Sequence, residues 1–122
     1  MSALTPEVVE ALGHSQTIDI TTTGRRSGQP RRIEIMLHSI DGRLLVTGKP
    51  GFPRGWIANL NADPRLTLHL RQPSVDVPSR ARVVADPVER EALLAPIARL
   101  WRTPLPLMVG SSPLIEVTPD PS

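Results

Sequence analysis

Apolar and polar residues alternate with a period of two along much of this chain, and the alternating stretches come in neighbouring pairs. Thr17–Thr22, rich in β-branched residues, predicts a first strand. Arg32–His38 predicts a second. Asp41-Gly42 is a tight-hairpin signal, and Leu44–Thr47 predicts the returning partner. In Leu66–Arg71 leucines alternate with Thr67, His69 and Arg71, the pattern of a strand with one face on a core. Gln72–Pro78 reads as a turn, Arg80–Ala85 as the next strand and Leu114–Thr118 as the last.

The pattern shifts to helical spacing in three places. In residues 1–16 a short helix is predicted, capped by Thr5 with Pro6 and Glu7 behind it, stapled by Leu4 and Val9, and stopped near Gly13. Pro53–Asn61 predicts a second short helix with Trp56, Ile57 and Leu60 on one side, ended by Pro64. Asp86-Pro87-Val88-Glu89 is a capping box, and Leu93, Ile97 and Leu100 carry the long helix onward, with Pro96 expected to kink or split it. Thr103–Pro113 reads as irregular, and residues 119–122 as a frayed tail. The sum is one α+β domain over 1–122: a six-stranded, mostly antiparallel barrel with one long helix and short helices. Closure into a barrel removes exposed strand edges.

Composition narrows the chemistry. The chain has no cysteine, which removes thiolate nucleophiles, disulfides and Cys-ligated metals. Its histidines, His14, His38 and His69, lack metal-ligand spacing, so no metal site is expected. Net charge is only +2 and aromatics are limited to Phe52, Trp56 and Trp101, which argues against nucleic-acid binding. No apolar run approaches the roughly 20 residues that span a bilayer, and no signal segment opens the chain. A cytoplasmic monomer or homodimer acting on a small molecule is the expectation.

Two glycine-punctuated loops flank the hairpin and carry cations: Gly24–Arg31, with Arg25, Arg26, Ser27 and Arg31, and Gly48–Gly55, with Lys49, Gly51 and Arg54. Backbone amides beside guanidinium and ammonium groups suit phosphate or carboxylate. From the residues alone, Arg25 and Arg26 also fit a solvated hairpin loop, and Trp56 also fits a core position. Asp19, Glu34 and Glu116 read as strand-face partners for arginines.

The Gly24-Arg25-Arg26-Ser27-Gly28-Gln29-Pro30-Arg31 loop, the hairpin, Lys49-x-Gly51 and Trp56-x-x-Asn59-Leu60-x-Ala62-Asp63-Pro64 together resemble the deazaflavin-dependent nitroreductase family over about residues 17–118. That resemblance implies the split β-barrel of flavin reductases and coenzyme F-420, with FMN as the alternative cofactor. The implied reaction is hydride transfer to a quinone, enone or nitroaromatic; non-catalytic carriage of the coenzyme is the other reading. It implies Arg25, Arg26 and Ser27 at the acidic tail, Lys49 and Gly51 near the phosphate, and Trp56 and Asn59 near the ring, Trp56 positioning ring or substrate. Arg31 and Arg54 lie close enough in sequence to join them. The chain departs from the family in having Gly48, Pro50 and Glu34 at motif positions and no tyrosine.

Overall fold

The computed structural model describes residues 4–51 and 54–121. Six strands close into an antiparallel barrel in the order β1-β2-β3-β6-β5-β4: β1 (Gln16–Thr23), β2 (Pro30–Ile40), β3 (Arg43–Thr47), β4 (Arg65–Arg71), β5 (Ser74–Val83) and β6 (Leu114–Pro119). Among the described residues four helices accompany them: α1 (Pro6–Ala11), α2 (Gly55–Ala62), α3 (Pro87–Trp101) and α4 (Leu105–Ser111). No described helix is long and apolar enough to cross a membrane.

The period of two fixes the interior. Ile18, Ile20 and Thr22 of β1, Leu66, Leu68 and Leu70 of β4, and Val77 of β5 point inward and are buried. β3 breaks the alternation because it is covered on both sides. Leu44 and Val46 join the barrel core, while Leu45 belongs to a second core with Leu94, Ile97, Ala98 and Met108 of α3 and α4. Leu94 and Ile97 are fully buried, each contributing on the order of 1.5–3 kcal/mol by leaving water. The hairpin turns on Asp41 (φ 51°) and Gly42 (φ 77°), the left-handed pair that a two-residue turn demands.

Several expectations need correction. The Gln72–Pro78 turn is confined to Gln72 and Pro73, and β5 begins at Ser74. Val75, Val77, Ala81 and Val83 keep strict alternation through Pro78, which lies outside the Ser79–Val83 stretch that pairs with β6. Pro96 sits inside a continuous α3; the carbonyl that loses its partner belongs to Ala92, which is exposed to water. Leu100 is 70 % exposed, since the buried stripe runs through Leu93, Leu94, Ile97 and Ala98. Residues 105–111, read as irregular, form α4, anchored by the fully buried Met108. In α1, Thr5 caps and Pro6 opens the helix as expected, but Val8 packs inward and Val9 is 56 % exposed. The last strand runs through Pro119, and the Asp120 N–H donates to Pro78 O. Phe52 and Pro53, the predicted start of the second helix, lie outside the described residues.

Candidate functional site

Strand direction gathers both cationic loops at one end of the barrel. Thr23 pairs with Pro30 and Thr47 with Leu114, so the β1–β2 loop, the exit of β3 and the entry of β6 share that end. α2 packs there, sending Trp56 and Leu60 into the barrel core. Its buried Asn59 does something else. The Asn59 Oδ1 accepts from the Arg25 backbone N–H (3.1 Å) and from Arg25 Nη1 (3.3 Å), while Nδ2 donates to Thr22 Oγ1 (3.2 Å). One amide therefore ties loop, helix and strand together.

The loop also closes on itself. Gly24 N donates to Gln29 O, Gly28 N to Gly24 O, and Gln29 N to Ser27 Oγ. Gly24 is required by crowding: a Cβ would stand 2.7 Å from Ser27 Oγ and 3.2 Å from Gln29 O. Gly28 is required by its φ of 71°. These bonds use the amides of Gly24, Arg25, Gly28 and Gln29 internally, so the loop offers few backbone donors to a ligand. An anion here must be held chiefly by guanidinium groups.

Between this loop and α2 lies a pocket of about 390 Å³. Arg25, Arg26, Ser27 and Arg31 form its cationic side; Trp56, Asn59 and Ile33 close the other. No acidic side chain belongs to its described wall, and none of the three arginines forms an ion pair with a described carboxylate. Trp56 is at once core and pocket wall, 9 % exposed. Thr22, Gly24 and Gly55 complete the lining; of the wall residues, Thr22 and Ile33 were not signalled by the sequence as site residues, whereas Gly24 and Gly55 bound the two cationic loops. Thr22 could have been found by its inward place in β1.

The remaining predicted residues sit elsewhere. The Lys49 ammonium lies 5.0 Å from the centroid of the Trp101 ring, a cation–π contact on the α3 side. Trp101 in turn meets His38 at 5.5 Å. Arg54 donates from Nη1 to Lys49 O (2.8 Å) and packs on Gly48, where a Cβ would stand 2.6 Å from its Nη2. Its guanidinium borders a different cavity, described below. Gly51 turns the loop with φ 90° and lines none of these cavities.

Elsewhere Asp19, Glu34 and Glu116 are strand-face partners for arginines, as expected. Arg32 and Arg71 bind Asp19, Arg71 also binds Glu34, and Arg43 and Arg82 share Glu116. The guanidinium of Arg32 holds the Asp19 carboxyl below its usual range, and that of Arg43 does the same for Glu116. Arg65 brings Asp63 down to about 2. Arg31 and Arg32 thus divide as adjacent strand residues must, one to the pocket and one to an ion pair. Among the described residues no group of His, Asp or Glu could hold a metal.

The sequence model of the F420H2-dependent quinone reductase family matches residues 2–108. The chain belongs to this family. Membership makes it an oxidoreductase whose cofactor is coenzyme F-420. Solved structures agree on the fold. A structure described as an F420-H2 dependent reductase (FDR-A) is 22 % identical with TM-score 0.62, the match covering 84 % of this chain and 93 % of that one. A FAD-binding protein from Mesorhizobium loti is 18 % identical with TM-score 0.64, over 99 % of this chain and 91 % of that one. A chain described as a domain-swapped dimer is 21 % identical with TM-score 0.60, over 84 % and 79 %. No curated protein shows significant sequence similarity.

The donor set fits the coenzyme's acidic part. Three unpaired guanidinium groups around one pocket, with no acid in its described wall, match a ligand bearing phosphate and carboxylates.

Proposed function

We propose that the protein uses reduced coenzyme F-420 to reduce a small, flat, electron-poor acceptor of the quinone, enone or nitroaromatic class. The observation that supports this reading is the Arg25–Arg26–Arg31 pocket beside Trp56, its guanidinium groups without a described carboxylate while Arg32, Arg43, Arg71 and Arg82 are ion-paired on strand faces. The coenzyme supplies hydride from the carbon that replaces N5 of a flavin. The protein's part is to hold, aim and keep water away.

In this reading Arg25, Arg26 and Arg31 grip phosphate and carboxylate oxygens, each bond contributing roughly 1.5–3 kcal/mol. Asn59 acts at one remove: by accepting from the Arg25 N–H and Nη1 it sets where that guanidinium starts. Ser27 is engaged with the Gln29 N–H and serves the loop's shape. Trp56, locked by the core, gives a rigid apolar wall that restricts the approach of ring or acceptor. Lys49 contributes only after its ammonium leaves Trp101. Gly51 and Arg54 shape the second loop.

The test is a side-by-side titration with coenzyme F-420 and FMN, followed by oxidation of the reduced coenzyme by menadione, cyclohexenone and a nitroimidazole. Tight F-420 binding and turnover of at least one acceptor are expected. Tighter FMN binding would replace the cofactor; binding with no turnover above background would leave a carrier.

A further inference from the structure

We propose a second ligand site, selective for a carboxylate attached to a flat apolar body, in the cavity on the other side of α2. This cavity holds about 470 Å³, within the range that takes small organic ligands. Its walls come from the first turn of α2 (Arg54, Ile57), the β5–α3 junction (Val83–Ala85, Pro87, Arg90) and the α4–β6 junction (Val109–Leu114). They are mostly apolar, and their only described charged side chains are the two arginines.

Arg90 is the centre of this site. Its Nε donates to Val109 O, Nη1 to Val84 O, and Nη2 to both Met108 O and Ser112 O. Four of the five N–H groups of a guanidinium are thereby placed, and one on Nη1 remains. All four acceptors are neutral carbonyls, and no described carboxylate pairs with Arg90. A half-buried cation without a counter-ion, facing a cavity, attracts an anion more strongly than a paired surface arginine does. Burial alone lowers its pKa, in keeping with the absence of a stabilising acid. Arg54, from the start of α2, also lines the cavity and adds a second positive charge.

Ser112 supplies another mark. It is 3 % exposed, and its hydroxyl is buried without a hydrogen-bond partner. Such a group is uncommon in a folded protein, and a ligand oxygen can complete it after a χ1 change. The apolar lining sets the rest of the ligand: Ile57, Val83, Val109, Pro113 and Leu114 reward a ring or two of hydrocarbon, not a bare ion.

This site is separate from the Arg25–Arg26–Arg31 pocket, and its test needs no coenzyme. 2-Naphthoate and its neutral counterpart 2-naphthalenemethanol are titrated into the protein by calorimetry, and the site is located by amide shifts in NMR. The acid should bind at least tenfold more tightly than the alcohol, moving the amides of residues 83–85, 109–112 and 114. Arg54→Gln should weaken naphthoate at least threefold, whereas Arg31→Gln, in the other pocket, should leave it unchanged. Removing Arg90 would also remove a clamp between β5 and α4, so the neutral ligand takes the place of that variant. Equal affinities for acid and alcohol, no binding of either, or loss of naphthoate in Arg31→Gln would each overturn the proposal. Inorganic phosphate that competes as well as naphthoate would overturn the apolar body.

Discussion

Asn59 separates loop positioning from charge, and two substitutions there test the anion pocket. Asn59→Ala removes both bonds that its Oδ1 accepts from Arg25 and the one Nδ2 donates to Thr22. At roughly 0.5–1.5 kcal/mol each, with water able to replace only the more exposed partners, the loss comes to about 2–3 kcal/mol. For a domain of this size that is a fall in Tm of roughly 8–12 °C. Asn59→Asp keeps an acceptor for the Arg25 N–H and Nη1, and the Thr22 hydroxyl can turn to donate instead. Its Tm should therefore lie much nearer the parent's. The new charge, however, sits at the wall of the arginine pocket. Against a ligand anion about 7 Å away, at an effective dielectric near 20, repulsion amounts to about 2 kcal/mol, roughly thirtyfold in Kd.

The assay pairs calorimetric melting with a coenzyme F-420 titration at low and high salt. The reasoning predicts opposite orders: Asn59→Ala worse in stability, Asn59→Asp worse in binding for its stability. An Asn59→Ala protein that melts within a degree of the parent would refute the tether. An Asn59→Asp protein that binds the coenzyme normally would move the acidic tail out of this pocket.

Other outcomes follow from the same contacts. Arg26→Ala and Arg31→Ala should each weaken the coenzyme at least tenfold at low salt, and Lys49→Ala should weaken it less, because that ammonium rests on Trp101; three fluorescence titrations decide. Trp56→Ala should lower turnover with menadione more than it lowers coenzyme affinity, in paired kinetic and binding measurements. His38 is fully inside and burial lowers its pKa, so the unfolded chain takes up a proton near pH 6.5 that the native protein refuses. Stability should fall as pH drops below about 6.5, and His38→Phe should flatten that limb of Tm against pH. Asp63, held at about 2 by Arg65, works further down: its contribution is present above its ordinary pKa of 3.8 and lost as pH falls toward 2, so an Asp63→Asn melt should differ from the parent at pH 5 and converge near pH 2.

The strands and the capped helices were legible because each rests on a local rule: alternation in Leu66–Arg71, the Asp41-Gly42 turn, the Asp86 cap whose carboxylate accepts the Glu89 N–H. The misreadings arose where tertiary contacts overrule such rules. Pro78 is tolerated because its missing N–H falls just outside the Ser79–Val83 stretch that pairs with β6, where only its carbonyl is engaged, by the Asp120 N–H, and Pro96 because the carbonyl it orphans belongs to the exposed Ala92. α4 lacks a polar cap and forms because Met108 is needed in the second core. For the site, Arg25, Arg26, Arg31, Trp56 and Asn59 do converge, since they belong to a loop and a helix joined by one amide. Lys49 and Arg54 do not join them: the Lys49 ammonium rests on Trp101 and Arg54 lines the other cavity, a tertiary outcome that loop sequence does not signal.

That divergence bears on how charge should be read here. A net charge of +2 looks too small for an anion site when spread over the molecule. The barrel does not spread it. Register sets Asp19 opposite Glu34 on β1 and β2 and brings Glu116 beside Arg82 on β6 and β5, so these three carboxylates are neutralised on strand faces by Arg32, Arg43, Arg71 and Arg82. Arg25, Arg26 and Arg31 stand together in one pocket beside α2 and Arg90 faces the other, next to walls with no described acid. Unpaired charges in partly closed pockets are screened less than surface charges, so their effective field exceeds what the total implies. The anion binding proposed for these pockets therefore depends on which carboxylates the strand order pairs with arginines elsewhere, a property of topology more than of composition.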